Sequence, residues 1–321
     1  MKDLTVQAME LRHAYGEALL ELGKENEKVV VLDADVSHCT GTELFEKSFP
    51  ERFFQMCVAE QNMMGAAAGF ATCGYIPFAN SFAVFATKRP HDQISISIAY
   101  PALNVKIVGS YTGISSSNTG ATHHCLDDIS TMRSIPNMVV ISPGDPEEVK
   151  QAVMEIAEYY GPVYMRLTKS PAVPSFLGKD YSFKIGKAAV LKEGADVAIL
   201  STGIMSHKCL GAAYKLEEFG IKAAVVHVPT IKPLDEETIL KTADKCKQLF
   251  TVEDHSIIGG LGSAISELLC EREPRKLHRI GIRDMFTESA SEVEDLFRKY
   301  NLTEQDIADT VLKTIKKNHQ F

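Results

Sequence analysis

Apolar runs bounded by Gly, Pro and Asp alternate along the chain with stretches of helical periodicity, the pattern of parallel strands joined by crossover helices. KVVVLDADV (28–36), FFQMCVA (53–59), IPFANSF (76–82), NVKIVGS (104–110), NMVVISPG (137–144) and PVYMRLT (162–168) read as strands of one sheet. QAMELRHAYGEALLELGKENEK (7–28), EQNMMGAAAGFATCG (60–74), RPHDQISISIAY (89–100) and DPEEVKQAVMEIAEYY (145–160) read as the helices between them. Asp145 is expected to cap the last of these, with Pro146 at its first position. An aspartate side chain satisfies a free amide there, and proline has no amide to leave unpaired.

After residue 168, KSPAVPSFLGKDYSF carries two prolines, a glycine and no sustained period, the features of a connector. The second half repeats the style, with strands DVAILSTG (196–203), KAAVVHVPT (222–230) and QLFTVEDH (248–255) and helices 206–220, 234–246 and 260–271. This predicts an α/β protein of two domains, each a mostly parallel sheet flanked by helices, the second smaller and Rossmann-like. The expected division is 1–170, a connector 171–187, and 188–321. Two terminal helices, 291–300 and 303–318, each follow a Ser or Thr with an acid three positions on, a capping-box spacing.

With 321 residues, 45% hydrophobic and 24% charged, the chain is globular and long enough for two cores. A formal net charge of −8 without a basic cluster excludes nucleic acid as a natural partner. No run approaches the roughly 20 apolar residues of a membrane span, and MKDLTVQAME lacks a signal-peptide core, so a cytoplasmic protein is expected. Seven cysteines without a C-x-x-C pair fit reduced, mostly buried thiols rather than disulfides or a zinc site.

The stretch MCVAEQNMMGAAAGF (56–70) sets Glu60 into an apolar and small-residue run, where a strand passes into a helix. Burying a carboxylate is costly unless its charge or proton is taken up. Gly65, Ala66, Ala67, Ala68 and Gly69 let a backbone or a flat ligand come close. A first-turn acid favoured by the helix dipole is the alternative. Downstream, SFAVFATKR holds Phe82 and Phe85, and SNTGATHHCLDD holds His123 and His124.

Taken in order, VLDADV, VAEQNMMGAAAGFA, SFAVFATKR, GATHH, RSIPNMVVISPGDPEEV, GPVYMRL, VAILSTG and VEDHSIIGGLGSA resemble the C-terminal section of transketolase, its pyrimidine-binding domain followed by its C-terminal domain. The resemblance runs from about residue 9 to the last helices. It implies thiamine diphosphate as cofactor and transfer of a two-carbon ketol unit from a ketose phosphate to an aldose, in carbohydrate metabolism of the pentose-phosphate kind. The diphosphate and Mg²⁺ site of the family carries a G-D-G motif that is not found here. PGDPEE fits a helix cap better. A partner subunit carrying that motif is therefore implied, with an α2β2 assembly.

Residue by residue, the resemblance makes Glu60 the acid that hydrogen-bonds the aminopyrimidine ring nitrogen, shielded from water with a raised pKa. Phe85 or Phe82 stacks on the pyrimidine, with the choice open. Asp35 resembles an acid near the cofactor, His123 a histidine on the donor hydroxyls, and Arg12 a phosphate-binding arginine. Three positions depart from the usual pattern: Tyr111 replaces a His, Thr119 an Asp, and Lys169 an Arg on the sugar phosphate. Lysine keeps the charge but loses the bidentate fork. His38 and Cys39 are further candidate contacts. His255 reads as packing or interface, and GGLGS (259–263) as a tight turn. The β subunit of a 2-oxoacid dehydrogenase and 1-deoxyxylulose-5-phosphate synthase share the layout. A non-catalytic interaction subunit is disfavoured by Glu60, and a nucleotide-binding α/β protein by the missing G-x-G-x-x-G after a first strand.

Overall fold

The structure, a computed structural model, describes residues 8–169, 171–178 and 180–318. Residues 1–7 and 170 of the first predicted domain, position 179 of the connector, and residues 319–321 of the second predicted domain lie outside the described residues.

The first half runs α1 (Leu11–Glu25), β1 (Val29–Asp33), α2 (Ser37–Thr40), α3 (Glu43–Ser48), β2 (Phe53–Gln55), α4 (Glu60–Thr72), β3 (Ile76–Phe82), α5 (Ala83–Lys88), β4 (Lys106–Ser110), α6 (Asp128–Arg133), β5 (Val139–Ile141), α7 (Pro146–Glu158) and β6 (Val163–Leu167). All five residues of β1, β4 and β6 are buried, as parallel strands covered on both faces require. On α7, Val149, Ala152, Val153, Ile156 and Ala157 are buried at helical spacing. Its Asp145 cap forms as expected: one carboxylate oxygen accepts the Glu148 amide at 2.9 Å. The other accepts the amides of Phe176 and Leu177 at 2.9 and 3.0 Å, tying the connector to this helix.

The second half runs β7 (Ala189–Lys192), β8 (Val197–Ser201), α8 (Met205–Glu217), β9 (Ala223–His227), β10 (Thr230–Lys232), α9 (Glu236–Lys245), β11 (Gln248–Ser256), α10 (Leu261–Arg272), β12 (Leu277–Ile282), α11 (Val293–Lys299) and α12 (Glu304–Asn318). Two mostly parallel sheets result, one ordered β10-β5-β6-β4-β3-β1-β2 and the other β12-β11-β8-β9-β7. The α/β class read from the sequence is what the chain adopts. Strand β10 leaves the second half to pair antiparallel with β5, so the first sheet is closed by a strand that follows the connector.

Several local expectations are corrected. The strand expected over 53–59 stops at Gln55, because Cys57 takes a left-handed backbone (φ 54°) and turns the chain. The segment 89–100 is a wide-turn π-helix over Gln93–Ala99. Ser291 does not cap α11. Glu292 holds that position without a side-chain bond, and Glu294 pairs with Lys208 at 2.9 Å. Thr303 and Asp306 do form a reciprocal box, each side chain accepting the other's amide at 3.2 and 3.3 Å. All seven thiols are free, but only Cys125, Cys209 and Cys246 are buried, so "mostly buried" does not hold.

Polar groups also cross between the halves. Arg166 of β6 donates to Asp128 at 2.9 Å and to Asp254 of β11 at 2.6 Å, with all three side chains buried. His227 of β9 lies 2.8 Å from Glu148 of α7, and its other ring nitrogen lies 2.6 Å from Ser206. These contacts hold the two sheets in one register relative to the site described next.

Candidate functional site

Strands β1, β3, β4 and β6 run parallel, pairing Asp33 with Asn80, Phe82 with Ser110, and Ser110 with Leu167. The loops that follow them therefore share the carboxyl edge of the sheet, where open α/β sheets bind ligands. Asp35, Phe82, Tyr111 and Lys169 all lie within two residues of such a strand end. Asp35 and Tyr111 have left-handed backbones (φ 64° and 63°). That conformation is unfavourable for residues with a side chain and gathers at functional sites.

Glu60 is the first residue of α4 and only 3% exposed. Free amides at a helix start favour a carboxylate, and here Arg89 completes its environment, donating from Nη1 to Glu60 Oε1 at 2.7 Å. The Arg89 guanidinium carbon lies 4.1 Å from the centroid of the Phe85 ring. Residues four apart share a helix face, which brings these two together at the end of α5. The His123 ring meets Phe85 edge-on, with centroids 5.3 Å apart. Phe82 lies 6.1 Å from Phe85 and is stacked on Tyr111 at 4.3 Å. The contacts continue past Tyr111: its hydroxyl accepts from Arg12 at 3.3 Å, and Lys169 Nζ lies 5.0 Å from its ring centre. Burial pushes the Tyr111 hydroxyl well above its ordinary pKa, so it stays protonated.

Seven of the nine predicted residues thus belong to one continuous set: Glu60, Phe85, Phe82, His123, Tyr111, Arg12 and Lys169. The other two stand apart. Asp35 is exposed, and its amide donates to Gln55 at 2.7 Å. Among the described residues, no hydrogen bond or ion pair joins its carboxylate to the set. The Thr119 hydroxyl turns back onto Ser116, donating to its carbonyl at 2.7 Å. His38 is exposed beside Glu43, while the Cys39 carbonyl accepts from Arg12 at 3.3 Å.

Two participants, Arg89 and Glu10, escaped the sequence reading, as did a buried acid beside the set, Asp33. Arg89 was readable in principle, as a cation four residues after an aromatic on a short helix. Glu10 pairs with Arg12 at 2.6 Å and shares its charge. Asp33, two residues before Asp35, is the buried acid of that loop. It accepts from the Val36 amide at 2.7 Å and from the Thr40 and Thr42 hydroxyls at 2.8 and 2.9 Å, and burial pushes its carboxyl up to about 6.

The His123 loop is anchored from the second half. The buried His124 ring lies 2.7 Å from the Thr287 hydroxyl, and Ser256 donates its amide to the Leu126 carbonyl at 2.8 Å. His255 is fully buried, and burial lowers its pKa to about 4, as expected of a packing residue. The GGLGS turn needs no outside anion. Glu253 already accepts the amides of Leu261 and Gly262 at 2.7 and 2.9 Å, and a Cβ on Gly260 would sit 2.0 Å from that carboxylate.

Comparison with known proteins identifies the family. Residues 7–173 match the family model "Transketolase, pyrimidine binding domain", and residues 186–307 match "Transketolase, C-terminal domain". The chain is 47% identical to a "Putative transketolase C-terminal section" of Methanocaldococcus jannaschii over 309 residues, 96% of each chain. It is 44% identical to a "6-deoxy-6-sulfo-D-fructose transketolase subunit SqwH" of a Clostridium species over 297 residues, 92% of each chain. A solved structure described as "Split gene transketolase, inactive beta4 tetramer" superposes with a TM-score of 0.87 at 47% identity, covering 95% of this chain and 98% of that one. The chain belongs to the transketolase family.

Proposed function

We propose that this chain is the pyrimidine-side subunit of a split, thiamine-diphosphate-dependent transketolase that moves a two-carbon ketol unit from a ketose phosphate to an aldose. The observation that carries this reading is the buried carboxyl of Glu60 linked through Arg89 to the Phe85 ring, with His123 against the same ring. The site fits an aminopyrimidine. Arg89 already holds one planar group in hydrogen-bond contact with Glu60 and on the face of Phe85 at once, the two neighbours such a ring would have.

Bound thiamine diphosphate supplies a thiazolium carbon that takes up and passes on the ketol unit. Glu60 holds a proton at the pyrimidine ring nitrogen. Phe85 gives the stacking face, because Phe82 is already stacked on Tyr111. His123 orients the hydroxyls of the donor. Lys169 and Arg12 bind the anionic end of the sugar, with Tyr111 holding both in place. Asp35 and Thr119 complete the cofactor and acceptor contacts once a second subunit covers the carboxyl edge.

Among the described residues, no cluster of three or more His, Cys, Asp or Glu could hold a metal ion. Mg²⁺ and the diphosphate are assigned to the partner subunit, in an α2β2 assembly. The similarity to a β subunit solved as an inactive tetramer supports both self-association and dependence on a partner. The relative that acts on a sulfo sugar supports an anionic substrate terminus without choosing its chemistry. We assign residues 1–170 to the pyrimidine domain, 171–187 to the connector and 188–321 to the C-terminal domain, working in the cytoplasm. No helix of the described residues is long and apolar enough to cross a membrane.

The test is co-expression with a diphosphate-domain subunit. Cofactor and Mg²⁺ binding and ketol transfer from xylulose 5-phosphate are measured for wild type and Glu60→Gln. Turnover should need both chains and fall by at least about a hundredfold in the variant. Full activity of Glu60→Gln, or turnover by this chain alone, would sink the assignment. Turnover from pyruvate instead of ketose phosphates would favour the 2-oxoacid dehydrogenase or the synthase reading.

A further inference from the structure

We infer that Arg89 is a built-in plug: in the isolated chain its guanidinium occupies the place of the cofactor's aminopyrimidine and must leave for the cofactor to enter. The inference rests on the cofactor reading of Glu60 given above. Two contacts define the plug. Nη1 donates to Glu60 Oε1 at 2.7 Å, and the same planar group lies 4.1 Å from the Phe85 ring centre. Each is a contact that a stacked aminopyrimidine would make, and one flat group at a time can make both.

The plug is also built to move. Arg89 follows the last turn of α5, and its side chain is 45% exposed while Glu60 is 3% exposed. The buried partner stays and the exposed one can swing into water. Among the described residues, Arg89 has no carboxylate partner besides Glu60, so nothing else needs to break. Its neighbour Lys88 points its charge elsewhere, pairing with Asp127 at 3.1 Å, so that among the described residues Arg89 is the cation paired with Glu60.

The physical reason for such a plug is the cost of an empty site. A nearly buried carboxylate without a partner is unfavourable, and removing its counter-charge is strongly so. Arg89 gives Glu60 a hydrogen-bonded partner before any ligand arrives. Its presence then lowers the apparent affinity for the pyrimidine by the fraction of chains in which the site is plugged.

The test uses the isolated full-length chain and the probe 4-amino-5-hydroxymethyl-2-methylpyrimidine, titrated calorimetrically. Wild type, Arg89→Met, Arg89→Lys, Glu60→Gln and the double variant Glu60→Gln/Arg89→Met are compared, with thermal unfolding as the check on folding. Arg89→Met should bind at least about tenfold tighter than wild type. Arg89→Lys keeps the charge but loses the flat face, and should gain less. The double variant should lose the gain. Equal, weaker or undetectable binding by folded Arg89→Met or Arg89→Lys, with the probe still sensitive to Glu60, would overturn the plug and leave the cofactor reading standing. Binding indifferent to Glu60→Gln in both backgrounds would overturn the cofactor reading itself.

Discussion

Arg166 Nη1 lies 2.6 Å from Asp254 Oδ1, a fully buried ion pair that joins β6 of the first sheet to β11 of the second. The guanidinium also bonds Asp128 at 2.9 Å and the Asp254 carbonyl at 3.1 Å. Two carboxylates are thus compensated by one cation, in a place where water cannot replace it.

Arg166→Met should therefore destabilise the protein by about 3 to 5 kcal/mol, because both carboxylates are left buried without their partner. Urea denaturation measures the loss. Hydrogen exchange should show the largest loss of protection at Leu126–Asp128 and Ser256, where the His123 loop meets β11. A loss below about 1 kcal/mol would show that the cluster relaxes into contact with water.

Asp33 makes a prediction with a defined sign. Burial raises its carboxyl from the ordinary 3.8 to about 6, so within that window the native chain holds a proton that the unfolded chain has released. Stability then falls as pH rises through the window. The gap in stability between wild type and Asp33→Asn, followed by denaturation between about pH 4 and about pH 7, should shift against the wild type by about 2 to 3 kcal/mol. Parallel curves for the two proteins would contradict it.

Lys169 has no carboxylate partner among the described residues, whereas Arg12 shares its charge with Glu10. An anionic sugar terminus should therefore depend chiefly on Lys169. Lys169→Met in the assembled enzyme should raise KM for a phosphorylated donor about tenfold to a hundredfold, with kcat nearly unchanged, as loss of a charged hydrogen bond made equally in ground and transition states predicts. A donor without phosphate should show no change. An equal effect on both donors would place Lys169 outside the anion site.

What could be read from the chain alone was local. Alternating apolar runs and helical periods identified the six parallel strands of the first sheet, since a strand covered on both faces needs a continuous apolar run whatever covers it. The Asp145 cap and the Thr303 box were legible because their donors and acceptors lie three residues apart. Glu60 stood out because an acid in a small-residue run needs a reason, and seven of the nine candidate residues share one set of contacts.

Tertiary structure alone decided which distant groups meet. The insertion of Thr230–Lys232 beside β5, the burial of Arg166 between Asp128 and Asp254, and the pairing of Arg89 with Glu60 join residues 29 to 92 positions apart. Periodicity reports which face of an element is buried, not what buries it. Ion pairs and sheet edges take their partners from the way the sheets stack, and that is set by the packing of the whole chain.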